Sequence, residues 1–192
     1  MAERPFIVGI GGTTRPGSTT ERALGVALAH AEAMGCETQL LGSLAMPTEP
    51  YDPARSGRSP QAQALVAALR RADGVIIATP SYHGGISGLV KNAIDFIEDM
   101  REDPRVYLEQ RAVGCIVCAH GPQAIGSTLA SLRAIVHSLR GWPTPYGAAI
   151  ISIGRPFGGD GAEADQAALA ACETVAGEVV AFARMSRLAA PA

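Results

Sequence analysis

Charge imbalance is the first thing this 192-residue chain lacks: 16 Lys and Arg stand against 18 Asp and Glu, a formal net charge of −2. Without a basic excess or a run of like charge, neither nucleic acid nor a membrane surface is expected as a partner. No apolar run approaches the ~18–20 residues that a membrane span needs. The opening Met1-Ala2-Glu3-Arg4-Pro5 runs straight into Phe6–Ile10 with no long apolar h-region or cleavage site, so it reads as the approach to a first strand rather than a signal peptide. The cytoplasm is the expected compartment. Cysteines are few and scattered, and only Cys115-Ile116-Val117-Cys118 has the look of a motif. A C-x-x-C can mark a redox pair or half a zinc site. Here it lies in an apolar run that reads as a strand, where residues three apart face opposite ways, so buried structural thiols are expected. Also missing are a G-K-[ST] phosphate loop, a G-x-G-x-x-G turn, H-E-x-x-H and G-x-S-x-G, and hence recognisable metal or hydrolytic chemistry.

What remains is a hydrophobic content of 47% with 18% charged residues, the balance of a globular chain, and residues 1–192 are expected to form one domain. Short apolar segments alternate with longer ones of helical period. Strands are expected at Phe6–Gly11, Thr38–Leu41, Gly74–Thr79, Ala112–Ala119 and Ala148–Ile153. Helices are expected from about Ser18, through Leu65–Ala72, near Gly88–Met100, through Leu129–Leu139, and from about Gly161 to Arg187. Strands without polar alternation, separated by such helices, imply an α/β fold with a five-stranded parallel sheet covered on both faces. Right-handed crossovers favour strand order 2-1-3-4-5, with ligands beyond the carboxyl ends of the strands at the switch point.

The loops there carry the chemistry. After strand one come Gly11-Gly12-Thr13-Thr14-Arg15-Pro16-Gly17-Ser18-Thr19-Thr20, glycines and hydroxyls with one arginine, before a helix N-terminus. Such a loop suits a dianionic phosphate. Taken alone it is equally a capped helix start after a tight turn. After strand three, Pro80 is expected to end the strand, and Ser81-Tyr82-His83-Gly84-Gly85 would let backbone and aromatic groups approach a flat ring. Two such loops flanking the switch point indicate a mononucleotide site.

These loops resemble those of the NADPH-dependent FMN reductase family, a flavodoxin-like group. The family's first motif, roughly G-S-x-R-x-x-S-x-N, is matched by Gly12, Thr13, Arg15, Ser18 and Thr20. The second, a P-x-Y-N turn followed on the next helix by K-N-x-x-D, is matched by Pro80, Tyr82, His83, Lys91, Asn92 and Asp95. Thr13 stands for the usual serine, Thr20 and His83 for asparagine, and Ser87 for proline. The resemblance implies that Thr13, Arg15, Ser18, Thr19 and Thr20 hold the FMN phosphate. It also implies that Pro80, Ser81, Tyr82, His83 and Gly84 line the isoalloxazine, with His120 and Gly121 at its pyrimidine side. His120 is equally a cap of the following helix or a solvent contact. Lys91, Asn92 and Asp95 are expected to be structural or at a subunit contact, Trp142 likewise, and His30 and His137 to be surface or packing residues.

By the same resemblance the protein is an NAD(P)H-dependent FMN reductase. NADPH or NADH would pass hydride to flavin N5, and the electrons would go on to free flavin, a quinone, an azo compound or oxygen. No catalytic side chain is then required. A homodimer or homotetramer is implied, with the loop Met46–Ser59 walling a substrate pocket of the neighbouring subunit, and a flavin-dependent monooxygenase as a possible recipient of reduced FMN. Two other readings stay open: a non-enzymatic electron carrier, and a flavin-binding regulatory protein.

Overall fold

The computed structural model describes residues 4–159 and 162–189; the expectations placed on Met1–Glu3 and on a helix start at Gly161 lie outside them. The apolar segments Phe6–Gly11 (β1), Gly74–Tyr82 (β3) and Ala112–Ala119 (β5) form the centre of a sheet, and every residue of β1 and β5 is buried. Glu37–Leu41 (β2) and Trp142–Ile151 (β6) flank them in the order β2-β1-β3-β5-β6, all parallel. This is the expected flavodoxin-like order. A two-residue strand, Gly85–Ile86 (β4), folds back antiparallel on the end of β3.

Alternate residues of the central strands enter two cores. Phe6, Val8, Ile10, Val75, Ile77 and Val113 face Pro60–Arg71 (α2), Gly88–Asp95 (α3) and Ile125–Ser138 (α4). Ile7, Ile76, Ile116 and Cys118 face Thr19–Ala33 (α1) and Gln166–Ala189 (α5). Serines start three of the helices. The hydroxyls of Ser18, Ser59 and Ser87 accept the backbone N–H groups of Glu21, Ala62 and Val90 at 3.3, 3.2 and 3.3 Å. The close approach of β1 to β3 at the top of the sheet depends on glycine: a Cβ on Gly11, whose φ is +148°, would sit 1.9 Å from Ala78 O.

Several boundaries differ from expectation. Pro80 does not end β3; it stays in register opposite Cys118 while the β1–β3 ladder stops at Gly11–Ala78. On its β1 side the proline therefore has no ladder bond to lose. β6 starts six residues early, at Trp142 rather than Ala148, with Pro143 and Pro145 inside it, which a strand paired on one side tolerates. Trp142 is thus in the strand, and its ring packs 5.4 Å from that of Phe182. The third helix tightens to a 3-10 turn over Phe96–Met100, which stacks the buried Ile97 and Met100 three apart. Before α5 comes an unforeseen hairpin of Phe157–Gly159 (β7) and Ala162–Ala164 (β8). The closing helix begins only after Asp165, whose carboxylate accepts the N–H of Ala167 at 2.8 Å. By length and composition alone α5 is long and apolar enough to cross a membrane. One of its sides, including Cys172, Val175 and Val179, is buried in the second core.

Candidate functional site

Past Gly11 and Ala78 the sheet opens between β1 and β3, and the loops at that edge meet there. The first loop is braced from within. Thr13 Oγ1 accepts the N–H of Arg15 at 3.1 Å, and Gly17 turns the chain at φ +70°. Glu21, in the first turn of α1, takes the Gly17 N–H at 2.5 Å on one carboxylate oxygen. Its other oxygen accepts the N–H and hydroxyl of Ser43, from the loop after β2, at 3.1 and 3.2 Å. Arg22 Nε donates to Gly17 O at 3.1 Å. Ser18 and Thr20 are buried and Arg15 is exposed.

The second loop is a tight hairpin. Tyr82 pairs with Gly85 around His83 and Gly84, which have φ +53° and +83°. Positive φ at both central residues is the type I′ turn, in which asparagine and glycine are favoured. That accounts for the asparagine usual at the first position and places its histidine substitute on the backbone's behalf. The turn is tied down from behind: Ser127 Oγ donates to Gly84 O at 3.3 Å, and Ser81 Oγ lies 2.7 Å from Thr128 Oγ1. Ser87 caps α3 and offers its own N–H to Thr79 Oγ1 at 3.0 Å, a bond that proline cannot make.

Nine of the twelve expected site residues line one hollow of about 270 Å³: Thr13, Arg15, Ser18, Thr19, Thr20, Pro80, Ser81, Tyr82 and His120. His83, Gly84 and Gly121 are not in its wall. His120 is exposed, and the 3-10 turn that follows it has no side-chain cap. Cys118, Ala119 and Ser152 complete the lining and were not anticipated. Their signal was position: Ala119 ends β5, and Ser152, just past β6, donates its N–H and hydroxyl to Ala119 O at 2.8 and 3.2 Å. Among the described residues no carboxylate lines the hollow, and Arg15 brings a guanidinium to it. Burial pushes the Cys118 thiol up to about 12, leaving it neutral. Cys115, also pushed up to about 12 by burial, belongs to the opposite core, so the C-x-x-C thiols do not meet.

The remaining motif residues sit behind the site. Asn92 accepts the Tyr51 N–H at 2.8 Å and donates to Glu49 O and Pro47 O at 2.9 and 3.2 Å, pinning the loop Met46–Ser59 on α3. Lys91 and Asp95 form an exposed i, i+4 pair at 2.5 Å. The pinned loop adds no residue to the hollow. Tyr51 rests edge-on against Phe96, and Arg58 closes on Asp99 with two bonds of 2.7 Å. His30 and His137 lie in the last turns of α1 and α4, away from the hollow.

Residues 5–155 match the family model described as NADPH-dependent FMN reductase. The chain belongs to that family. An NAD(P)H-dependent FMN reductase of Pseudomonas aeruginosa is 31% identical over 104 residues, 54% of this chain and 56% of the relative. An FMN-dependent NADPH-azoreductase of Staphylococcus haemolyticus is 38% identical over 74 residues, 38% of this chain and 36% of the relative. The chain thus spans between a third and somewhat over half of the curated relatives' lengths. Among solved structures, RosB with bound 8-demethyl-8-formylriboflavin-5′-phosphate has the same fold, at 17% identity and a TM-score of 0.76, covering 96% of this family member and 81% of RosB.

Proposed function

We propose that the chain binds FMN in the hollow between β1, β3 and β5 and acts as an NAD(P)H-dependent reductase of a small acceptor. One observation carries this: the hydroxyls and guanidinium of the first loop converge with the Pro80–Tyr82 segment on a single hollow that no carboxylate lines among the described residues. Such a donor set fits a dianionic phosphate at one end, where Ser18, its oxygen occupied by the Glu21 N–H, keeps its own O–H to donate. At the other end the type I′ turn holds Tyr82 outward beside the opening, a boundary suited to a flat ring with one face accessible.

When bound, FMN supplies the hydride chemistry, so the chain's work is to hold and orient it. Thr13, Thr19 and Thr20 would anchor the phosphate with Arg15 and Ser18. Pro80, Ser81, Tyr82, His83 and Gly84 would border the ring through the hairpin, and His120 with Gly121 would offer donors where negative charge gathers on reduction. The relatives' names support a flavin or azo acceptor. A cytoplasmic homodimer or homotetramer formed by one flavin-binding unit per chain belongs to the same reading.

The test is a visible spectrum of the purified protein mixed with FMN, followed anaerobically after NADPH or NADH is added. Bleaching of the flavin band within seconds supports the reading and gives the donor preference. Bound flavin that neither donor reduces would favour an electron carrier, and no binding of flavin would overturn the proposal.

A further inference from the structure

Ser81 reaches the hollow with a hydroxyl whose proton is already committed. Its Oγ lies 2.7 Å from Thr128 Oγ1 and 3.5 Å from Ala124 O, both at the N-terminal end of α4. Thr128 is fully buried, and its own hydroxyl donates to Ala124 O, one turn back, at 3.0 Å. Each hydroxyl brings one proton to these contacts, and one ordering serves both: Ser81 gives its proton to Thr128, and Thr128 gives its own to Ala124 O. The reverse ordering, with Thr128 donating to Ser81, sets Thr128 Oγ1 against the carbonyl oxygen at 3.0 Å with no proton between them. What Ser81, half-buried in the wall, can offer the hollow is therefore its remaining lone pairs. Ser18 at the phosphate end is the converse, since its oxygen takes the Glu21 N–H and its proton is free. The hairpin keeps Ser81 in place: it pairs with Ile86 across the turn, and Ser127 Oγ donates to Gly84 O from the same end of α4.

We propose that Ser81 is a hydrogen-bond acceptor for a ring N–H of the flavin, and that Thr128 is the positioning residue that fixes this polarity. The inference rests on the reading of the hollow as an FMN site. An isoalloxazine carries two such ring nitrogens, one on each side of C4=O: N3 holds a proton in both oxidation states, N5 only when the ring is reduced. An acceptor beside that edge is matched to either N–H, and it is mismatched to the C4 oxygen and to an unprotonated N5. A serine free to turn its proton would serve donor and acceptor alike and discriminate nothing. The buried threonine removes that freedom, so the ring end of the hollow presents an acceptor where the phosphate end presents donors.

The test reads two quantities in the wild type and in Ser81→Ala, Thr128→Val and Thr128→Ser. They are the affinity for oxidised FMN, by fluorescence titration, and the two-electron midpoint potential of the bound flavin, by anaerobic spectroelectrochemistry. Valine keeps the shape of threonine without its hydroxyl, and Ala124 O retains the Ser127 hydroxyl at 2.9 Å, so no carbonyl is left without a donor. If N5–H is the partner, Ser81→Ala weakens reduced FMN about fivefold relative to oxidised, the worth of one neutral hydrogen bond, and lowers the potential by about 20 mV. If N3–H is the partner, the same variant weakens both forms about fivefold and leaves the potential where it was. In either case Thr128→Val shifts the same quantity in the same direction, because it releases the Ser81 proton, and Thr128→Ser stays within about twofold of the wild type. FMN binding with neither quantity changed in Ser81→Ala would overturn the proposal and leave the FMN reading standing. So would a Thr128→Val protein that matches the wild type in both. If the wild type binds no FMN, the FMN reading fails and the proposal with it.

Discussion

Glu21 holds Ser43 by both of that residue's donors, the backbone N–H at 3.1 Å and the hydroxyl at 3.2 Å. The same carboxylate takes the Gly17 N–H, so one side chain of α1 sets two loops at the opening of the sheet. Its oxygens are turned to these donors, and it is not among the residues that line the hollow.

Replacing Glu21 by Ala should therefore loosen the first loop without unfolding the sheet. Charge-assisted bonds of this kind contribute about 1.5–3 kcal/mol, so a lower Tm and roughly tenfold weaker FMN binding are expected. Calorimetry and flavin titration check this together; an unchanged affinity would mean that the loop holds its shape without Glu21.

At the hairpin, His83→Asn should be neutral or slightly stabilising, since asparagine adopts the left-handed conformation readily. His83→Val should cost about 1–2 kcal/mol, because a β-branched residue is strained at φ +53°. Urea midpoints of the two variants separate a backbone role from a side-chain one: equal losses would point to the imidazole.

At the far end of the sheet Arg111 is fully buried, and it donates to Ala72 O, Arg70 O, Tyr107 O and Glu109 O. Burial pulls its pKa down to about 9, which still leaves it cationic at neutral pH. Its counterpart is the carbonyl end of α2, where the helix dipole is negative. Arg111→Ala strands those carbonyls and should cost about 3 kcal/mol, measured by denaturant unfolding. A loss within error of zero would show that water replaces the guanidinium.

The bond from Arg58 holds the Asp99 carboxyl below its ordinary value of 3.8. In that window the unfolded chain binds more protons than the native one, so stability rises with pH. The contribution is complete above about pH 4 and is lost as pH falls through the lower, folded value. Asp99→Asn should cost about 1 kcal/mol at neutral pH and flatten the acid limb of Tm against pH. A variant whose acid limb matches the wild type would remove Asp99 from the account.

Much of this architecture was readable because the period of the apolar residues changes from strand to helix. The Leu24, Ala27, Leu28, Ala31 stripe and the unbroken Phe6–Gly11 run each announce what they bury. The glycine–hydroxyl loop and the Pro80–Gly84 segment likewise pointed to one edge of the sheet, where eight of their residues line a hollow. Pro80 misled because a proline's cost depends on whether its ladder side is occupied, which only the pairing reveals. Ser152 was hidden for a related reason: its place beside Ala119 follows from the β5–β6 register, which carries an irregularity between Val113 and Cys115. The β7–β8 hairpin has three-residue strands, too short for a period to show. Asp165 was a visible cap for α5 once the helix was not begun too early.

The early start of β6 has a bearing on how copies of this chain can associate. Pro143 and Pro145 lie within the outermost strand, and neither has a proton to give an incoming strand. The first half of that border is thus a poor template for sheet extension, whether by an orderly partner or by a misfolded neighbour. Subunits that meet near it have to do so through side chains, with the exposed Trp142 and Tyr146 as the available surface, and the border itself resists growth into a fibril.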